Sequence, residues 1–192
     1  MVCRGDKTTI AGLLLAAGAG SRMGGPKALV HDDRGSWLRR GVTNLVEGGC
    51  DPATVVLGAG AAEAVPLLRG TEAKVVVTDD WADGLGASLR AGLEALVLDG
   101  VDAALVTLVD LPDLVPEVVA RVAAVADGPS SLARACFTDT PGHPVLIGRE
   151  HWPAVCKEAV GDRGARDYLD RAAPLLVECG DLATGVDVDT FR

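Results

Sequence analysis

The sequence predicts an α/β fold, a three-layer Rossmann-like arrangement in which a mostly parallel β-sheet is flanked by helices. Short apolar runs of strand length alternate with longer segments of helical spacing, and this alternation is typical of βαβ units. Aromatic residues make up only 3% of the 192 residues, while hydrophobic residues reach 48%. A core built from Val, Leu and Ala favours buried parallel strands. The length suits one domain that spans residues 1–192.

The first two thirds of the chain are regular, with continuous apolar runs that predict strands and intervening segments that predict helices. The strands are expected at 10–16, 54–58, 73–78 and 102–109. The helices are expected at about 36–48, 61–69, 86–98 and 116–126. The parallel strands are expected to be joined by right-handed crossovers.

The last third of the chain is less regular. Apolar runs at 131–137 and 143–148 flank the turn sequence at 138–142, and predict either a hairpin or two edge strands. The remaining elements are expected as helices at about 149–160 and 164–172 and as a final strand at 175–180. Because ligands of open α/β sheets bind beyond the carboxyl ends of the strands, the residues that directly follow a strand are the candidates for a site.

The net charge of −9 argues against nucleic acid as a partner, because binding a duplex requires a basic surface. The charge is uneven, since residues 1–40 carry seven Lys or Arg side chains and only three Asp side chains. A basic segment in an acidic protein suits a small polyanion that binds locally. The five cysteines are scattered and form no C-x-x-C pair, which indicates reduced thiols in a cytoplasmic protein.

The N-terminus has features of a secretory signal, since Arg4 and Lys7 precede an apolar run that ends in small residues. A buried first strand is the preferred interpretation, because the sequence at 21–27 follows at once and completes a motif that cleavage would destroy. No apolar run approaches the roughly 18 residues of a membrane span, so no membrane association is expected.

The loop that follows the first strand combines several glycines with two cations. Gly18, Gly20 and Gly24 allow backbone N–H groups to face an anion. Arg22 and Lys27 supply positive charges that bind phosphate. The loop is therefore predicted to hold a phosphate-rich ligand.

This loop differs from two better-known phosphate-binding motifs. A P-loop would have Ser or Thr after Lys27, and Ala28 stands there. The dinucleotide fingerprint fails because Met23 replaces its third glycine and no acidic residue follows at the distance required to hold a ribose. Arg39 and Arg40 could instead bind a 2′-phosphate, which leaves an NADP-type site open.

Six segments of the chain carry a family resemblance in the same order. The first is LAAGAGSRMGGPKAL, residues 15–29, and the others lie at 81–96, 106–114, 142–153, 161–169 and 186–190. They resemble segments of the MobA/MocA-like nucleotidyltransferases, which include molybdenum cofactor cytidylyltransferase-like enzymes with a MobA-like NTP transferase domain. The resemblance implies the nucleotide-diphospho-sugar transferase fold. It also implies Mg²⁺-dependent transfer of a nucleotidyl group from an NTP to a phosphate, with release of pyrophosphate.

The resemblance also bears on the substrates. Ala17 gives the first segment the Leu-Ala-Ala-Gly form of cytidylyltransferases, whereas guanylyltransferases more often have Leu-Ala-Gly-Gly. It therefore favours CTP over GTP and a molybdopterin-type phosphorylated acceptor, with delivery of the product to a molybdoenzyme. Pro26 is a departure, because the cytidylyl branch commonly has Asn there. Guanylyl transfer to molybdopterin, or to another phosphorylated metabolite, remains an alternative.

Two alternatives of another class also remain open. Some relatives in this fold group are described as flavin- or nicotinamide-linked oxidoreductases of a nicotine-derived pigment, and a nicotine blue oxidoreductase-like function would make the glycine loop a dinucleotide site. The other alternative is a protein that binds a nucleotide without turnover. The chain is expected to be a monomer or a weak homo-oligomer.

The candidate metal ligands are three aspartates. Asp110 directly follows the apolar run at 102–109, where a carboxylate reaches the ligand crevice. Asp187 and Asp189 alternate with valines and would share one face of a strand. Because Mg²⁺ takes one or two protein carboxylates together with substrate oxygens, Asp110 is the predicted first ligand. The resemblance favours Asp189 over Asp187 as the second.

The remaining site residues fall into three predicted sets. The catalytic set is Arg22, Lys27 and Asp110. The nucleotide-binding set is Leu15, Ala16, Ala17, Gly18, Ala19, Gly20, Ser21, Arg22, Met23, Gly24, Lys27, Gly86, Ser88 and Asp110. The acceptor set is His143, Asp162 and Arg163. Ser88 and Asp162 are also expected to cap the helices at 86–98 and 164–172.

Overall fold

A computed structural model describes residues 8–189, so Cys3, Arg4, Lys7 and the final Thr190 of the sixth family segment lie outside the described residues. The strands are β1 Ile10–Ala16, β2 His31–Asp32, β3 Gly35–Ser36, β4 Ala53–Leu57, β5 Lys74–Val77, β6 Ala103–Leu108, β7 Leu132–Phe137, β8 Thr140–Gly148 and β9 Leu175–Glu178. The helices are α1 Trp37–Glu47, α2 Ala61–Ala64, α3 Leu85–Val97, α4 Pro116–Ala123, α5 Trp152–Glu158 and α6 Arg166–Ala172.

The main sheet has seven strands in the order β5-β4-β1-β6-β8-β7-β9. Strands β5, β4, β1 and β6 are parallel to their neighbours in this run. Strand β8 is antiparallel to both β6 and β7, and β9 is parallel to β7. The predicted α/β fold with a mostly parallel sheet is confirmed.

The core lies on both faces of this sheet, because successive residues of a strand point in opposite directions. Along β1, Leu14 and Ala16 belong to the core cluster that includes α1 and α4. Leu13 and Leu15 belong to the cluster that includes α3 and α5. The result is a three-layer arrangement of helices, sheet and helices. Within residues 8–189, none of the helices has both the length and the apolar character needed to cross a membrane.

Several element boundaries differ from the expected ones. The runs at 131–137 and 143–148 form a hairpin, but its turn is shorter than the turn sequence suggested. Thr138 and Asp139 have φ of +49° and +66°, as the central residues of a type I′ hairpin turn do. The strand after them therefore begins at Thr140.

The two expected helix caps are wrong. Helix α3 begins at Leu85, with Gly84 as its N-cap, so Ser88 lies inside the helix and is buried. Asp162 lies in a separate 3-10 turn, and the N-cap of α6 is Ala165. Both side chains are therefore available for other roles.

Asp32 ties the short β2–β3 hairpin to helix α1. Its carboxylate accepts hydrogen bonds from Trp37 Nε1 at 2.8 Å, from Arg40 at 2.7 and 2.9 Å, and from the backbone N–H of Arg34 at 2.9 Å. The hydrogen bonds from Arg40 are the main reason why the pKa of Asp32 lies below its usual range. Bidentate charge-assisted pairs of this kind are among the stronger side-chain contacts.

We expect Asp32→Asn to lower the free energy of unfolding by about 1–2 kcal/mol at neutral pH, since the variant loses the charge-assisted bonds. Because folding lowers the pKa of Asp32, its stabilisation is complete above the unfolded-state value of about 4 and is lost as the pH falls. Urea unfolding should therefore show a smaller difference between wild type and variant at about pH 3. Asp33→Asn, at an exposed neighbouring position, is the control. Equal losses at both pH values would contradict this assignment.

Candidate active site

The loop after β1 folds back on itself and brings its two cations together. The backbone N–H of Gly25 donates to the carbonyl oxygen of Gly20 at 3.3 Å. Gly20 has φ of +58°, and a Cβ there would lie 2.0 Å from the carbonyl oxygen of Gly25. Only glycine fits this position. As a result, Arg22 and Lys27 both reach the carboxylate of Asp189.

Lys27 lies at the centre of the site and bridges two aspartates. Its Nζ donates to Oδ2 of Asp110 and to Oδ1 of Asp189, both at 2.7 Å. Burial lowers the pKa of Lys27, but its hydrogen bonds to the two carboxylates outweigh burial and leave the pKa raised. The hydrogen bond from Lys27 in turn lowers the pKa of Asp189. Lys27 and Asp189 are therefore both charged at neutral pH.

Arg22 adds a more exposed cation to the same site. Its Nη1 donates to Oδ2 of Asp189 at 2.7 Å, and its side chain is 75% exposed. An ion pair with this exposure contributes little to stability. The guanidinium can therefore exchange the carboxylate for a phosphate group of a ligand.

Three carboxylates converge beside Lys27. Asp110, Asp187 and Asp189 each offer one oxygen, and these atoms lie within 4.8 Å of one another. The Oδ1 atom of Asp110 is buried and has no hydrogen-bond partner. A hard divalent cation takes oxygen ligands of this kind, and an unpaired buried carboxylate oxygen requires such a partner. The three residues therefore fit a divalent cation.

The C-terminal tail, residues 183–189, is held against the loop that follows β6. The backbone N–H of Val188 donates to the carbonyl oxygen of Asp110 at 3.0 Å. Oδ2 of Asp113 accepts hydrogen bonds from the backbone N–H and Oγ1 of Thr184, at 2.7 and 2.5 Å. These contacts bring both tail carboxylates to the cluster, although the tail is not a strand of the sheet.

Two cavities meet at the carboxylate cluster. The larger one, of about 700 Å³, is lined by Asp110 and Asp189. The smaller one, of about 320 Å³, is lined by Asp187. The residues that line both cavities are Leu15, Leu85, Leu108, Asp162 and Arg166. Two bound molecules could therefore meet beside the three carboxylates.

Most of the predicted nucleotide-binding set lines the larger cavity. Its members there are Leu15, Ala16, Ala17, Gly18, Ala19, Gly20, Ser21, Arg22, Lys27, Ser88 and Asp110. Met23, Gly24 and Gly86 are not among the lining residues. Gly86 packs against the backbone of Ala159, where a Cβ would lie 2.6 Å from the carbonyl group. The absence of a side chain at Gly86 therefore serves the close packing of α3 against Ala159 and does not open space for a ligand.

The predicted acceptor set lines the smaller cavity, since His143, Asp162 and Arg163 all face it. Burial lowers the pKa of His143, so its ring is neutral at neutral pH. Its Nδ1 lies 3.3 Å from the carbonyl oxygen of Val106. The guanidinium of Arg163 is already engaged by the carboxylate of Asp167.

Among the lining residues, Trp81 and Arg134 were not assigned to the site from the sequence. Trp81 lines the larger cavity. Arg166 lines both cavities and Arg134 lines the smaller one. Trp81 comes soon after the end of β5, and this position could have indicated from the sequence that it lies at the site. Arg134 lies within β7, and no sequence pattern marks it.

Comparison with known proteins identifies the family. The MobA-like NTP transferase domain matches residues 12–175 of the chain. The chain belongs to the MobA-like NTP transferase family. This confirms the resemblance seen in the six segments, and it makes the chain a nucleotidyltransferase.

Two relatives of this MobA-like chain are similar over most of their length. The chain is 36% identical over 197 residues to the nicotine blue oxidoreductase of Paenarthrobacter nicotinovorans, which covers 97% of this chain and 95% of that protein. It is 34% identical over 179 residues to a molybdenum cofactor guanylyltransferase of Rhizobium johnstonii, which covers 86% of this chain and 77% of that protein.

Solved structures of similar fold support the same family. A nucleotidyl transferase from Methanothermobacter thermautotroptrophicus superposes with a TM-score of 0.81 and 25% identity, over 95% of this chain and 92% of that one. A Mycobacterium tuberculosis H37Rv protein solved in complex with manganese has a TM-score of 0.75 and 25% identity, over 94% of each chain.

Divalent-metal binding should depend on the carboxylate cluster. With Mn²⁺ as the probe and no nucleotide present, we expect Asp110→Asn or Asp189→Asn to weaken binding by about tenfold or more, because each variant removes one charged oxygen ligand. The electron paramagnetic resonance signal of free Mn²⁺ measures the affinity. Asp33→Asn should bind Mn²⁺ as the wild type does. Unchanged affinity in both cluster variants would exclude these residues as ligands.

Proposed function

We propose that the chain is a Mg²⁺-dependent enzyme that transfers CMP from CTP to the phosphate of a molybdopterin-type acceptor and releases pyrophosphate. The observation that carries the proposal is the carboxylate cluster at the boundary of two cavities. A nucleotide in the larger cavity and an acceptor in the smaller one would meet at that boundary. Holding two reactants in this way is a major source of rate enhancement in a bimolecular transfer.

The larger cavity suits a nucleoside triphosphate. Arg22 and Lys27, together with the backbone N–H groups of the glycine loop, offer positive charge to the triphosphate. Trp81 and Ser88 line the same cavity and are available to the base and the ribose. The cations lie at the end of the cavity where the carboxylates converge, so the reacting phosphate would lie there too.

Asp110, Asp189 and Asp187 are the residues that would hold Mg²⁺. When bound, the ion supplies charge neutralisation for the phosphate oxygens. Lys27 adds a positive charge at the same place, since its Nζ lies 2.7 Å from an oxygen of Asp110 and 2.7 Å from an oxygen of Asp189. It can donate to a phosphate oxygen that arrives at the same place.

The acceptor needs no general base, because a phosphate monoester is already ionised at neutral pH. Neutral His143 is consistent with this. Donation from Nδ1–H to the carbonyl oxygen of Val106 leaves Nε2 as a hydrogen-bond acceptor at the cavity. His143 is therefore suited to orienting the acceptor rather than to removing a proton.

The choice of nucleotide and acceptor is the finer part of the proposal. Ala17 supports CTP, and guanylyl transfer is the alternative, supported by the relative named molybdenum cofactor guanylyltransferase. Another phosphorylated metabolite could also serve as the acceptor. As proposed, the enzyme is a single-domain cytoplasmic monomer or weak homo-oligomer that delivers its product to a molybdoenzyme.

Pyrophosphate release in the presence of molybdopterin, Mg²⁺ and either CTP or GTP tests this function. We expect faster release with CTP. We also expect Asp110→Asn and Lys27→Met each to lower kcat by about 10²-fold or more, because each removes charge stabilisation at the reacting phosphate. Asp33→Asn should be fully active. If nucleotide bound without any release of pyrophosphate, the chain would be a nucleotide-binding protein and the proposed reaction would be excluded.

A second candidate function is supported by the relative named nicotine blue oxidoreductase. As an oxidoreductase, the chain would use its glycine loop for a flavin or nicotinamide dinucleotide. The side chains proposed for a 2′-phosphate are engaged elsewhere, however. Arg39 donates to the carbonyl oxygens of Leu67 and Arg69, at 2.7 and 2.9 Å, and Arg40 pairs with Asp32.

The two functions differ in a simple optical measurement. If the chain is a nucleotidyltransferase, we expect the purified protein to lack flavin absorbance and to oxidise neither NADH nor NADPH when nicotine blue is added. Oxidation of either nicotinamide cofactor at a catalytic rate would favour the oxidoreductase.

A further inference from the structure

The smaller cavity combines an aliphatic floor with a half-buried guanidinium that makes no ion pair among the described residues. Its aliphatic lining includes Leu85, Leu89, Val106, Val145, Ile147 and Leu169. These residues come from α3, β6, β8 and α6, so the floor is built from regular elements rather than from a mobile loop. Preformed apolar pockets with a few polar groups are typical of small-molecule sites.

Arg134 brings the positive charge to this floor. Among residues 8–189 it makes no ion pair, and its one side-chain hydrogen bond runs from Nε to the carbonyl oxygen of Gly142 at 3.4 Å. Burial is the main reason why its pKa is lowered. A half-buried charge without a counter-ion is costly, so an anion that entered the cavity would gain a strong partner.

Arg166 lies beside Arg134 and faces both cavities. After burial, the carboxylate of Asp170 has the larger influence on the pKa of Arg134 and raises it, although it lies beyond ion-pair distance. The positive charge of Arg166 has a smaller influence and lowers this pKa. Within the described part of the chain, Arg166 also makes no ion pair. Two neighbouring guanidiniums that make no ion pair among the described residues suit a multivalent anion.

Resting on the function proposed above, we propose that the smaller cavity binds the acceptor as a phosphate monoester with an apolar or aromatic face. Arg134 and Arg166 hold the phosphate, and the aliphatic floor contacts the body of the molecule. A free inorganic anion would leave this floor uncovered, and a neutral apolar molecule would leave both guanidiniums without an ionic partner. A phosphate monoester with an apolar face satisfies both.

The phosphate held by these arginines is the group that reacts. Asp187 lines the same cavity, and His143 is close enough to feel the charges of Arg134, Asp110 and Asp187. One oxygen of the acceptor phosphate forms a bond to the α-phosphorus of the NTP. The bond from that phosphorus to the bridging oxygen of the β-phosphate breaks, and pyrophosphate leaves with the electron pair. No proton is transferred, because the attacking phosphate is ionised.

Binding of phenyl phosphate without any nucleotide tests this site. We expect titration calorimetry to show that phenyl phosphate binds at least about tenfold more tightly than inorganic phosphate, since only phenyl phosphate covers the apolar floor. Methyl resonances of Leu89 and Val145 should shift in the NMR spectrum. Arg134→Gln should weaken binding by about tenfold or more, and Arg134→Lys should restore part of it.

The matched control is Arg171→Gln. Arg171 lies on the same helix as Arg166, is exposed and pairs with Glu158, so its loss should leave the affinity for phenyl phosphate unchanged. Thermal unfolding checks that each variant is folded, and Arg166→Gln provides a second measurement if Arg134→Gln is not. Equal affinity of the wild type and a folded Arg134→Gln or Arg166→Gln variant would overturn the proposal, as would shifts confined to the loop at 18–27.

This experiment separates the acceptor site from the reaction. It includes no NTP and measures no pyrophosphate, so the site can be established even if nucleotidyl transfer is excluded. Conversely, pyrophosphate release that is undiminished in a folded Arg134→Gln variant would leave the reaction standing and remove this acceptor site.

Discussion

The site depends on one interaction, the bridge that the ammonium group of Lys27 makes between Asp110 and Asp189. Three carboxylates whose oxygens lie within 4.8 Å of one another repel strongly where water is partly excluded. Lys27 offsets this repulsion by donating to two of them at 2.7 Å. Lys27 follows β1, Asp110 follows β6, and Asp189 is the last described residue. The bridge therefore joins the glycine loop, the carboxyl edge of the sheet and the tail.

The strand order explains why these groups can meet. Strands β1 and β6 are parallel neighbours, and Leu15 pairs with Leu108 near their carboxyl ends. The glycine loop and the loop of Asp110 therefore leave the sheet side by side, as parallel strands require. On the other side of β6, β8 is antiparallel and contributes His143 and Val145 to the smaller cavity. The parallel part of the sheet thus contributes most of the larger cavity, and the antiparallel strand contributes to the smaller one.

The sequence predicted the elements better than their ends. Apolar runs identified the seven main strands, because burial on both faces of a sheet leaves a continuous local pattern. The ends depend on local geometry that the pattern does not contain. The hairpin turn is shorter than expected and has only Thr138 and Asp139 at its centre. Helix α3 begins at Leu85, so Ser88 lies inside the helix. The short strands β2 and β3 have two residues each, too few to produce a periodic signal.

The sequence by itself determined the fold class, the family and the loop with its two cations, because apolar periodicity and a contiguous motif are local properties of the chain. The sequence analysis also placed three aspartates in the site, but only the tertiary structure shows which charged groups contact one another. Thr184 of the tail is held by Asp113, 71 residues away, and this contact helps to bring Asp187 to the cluster. Arg134 belongs to a strand whose pattern shows only burial. The role proposed for it rests on its making no ion pair among the described residues, which only the arrangement of its neighbours in space reveals.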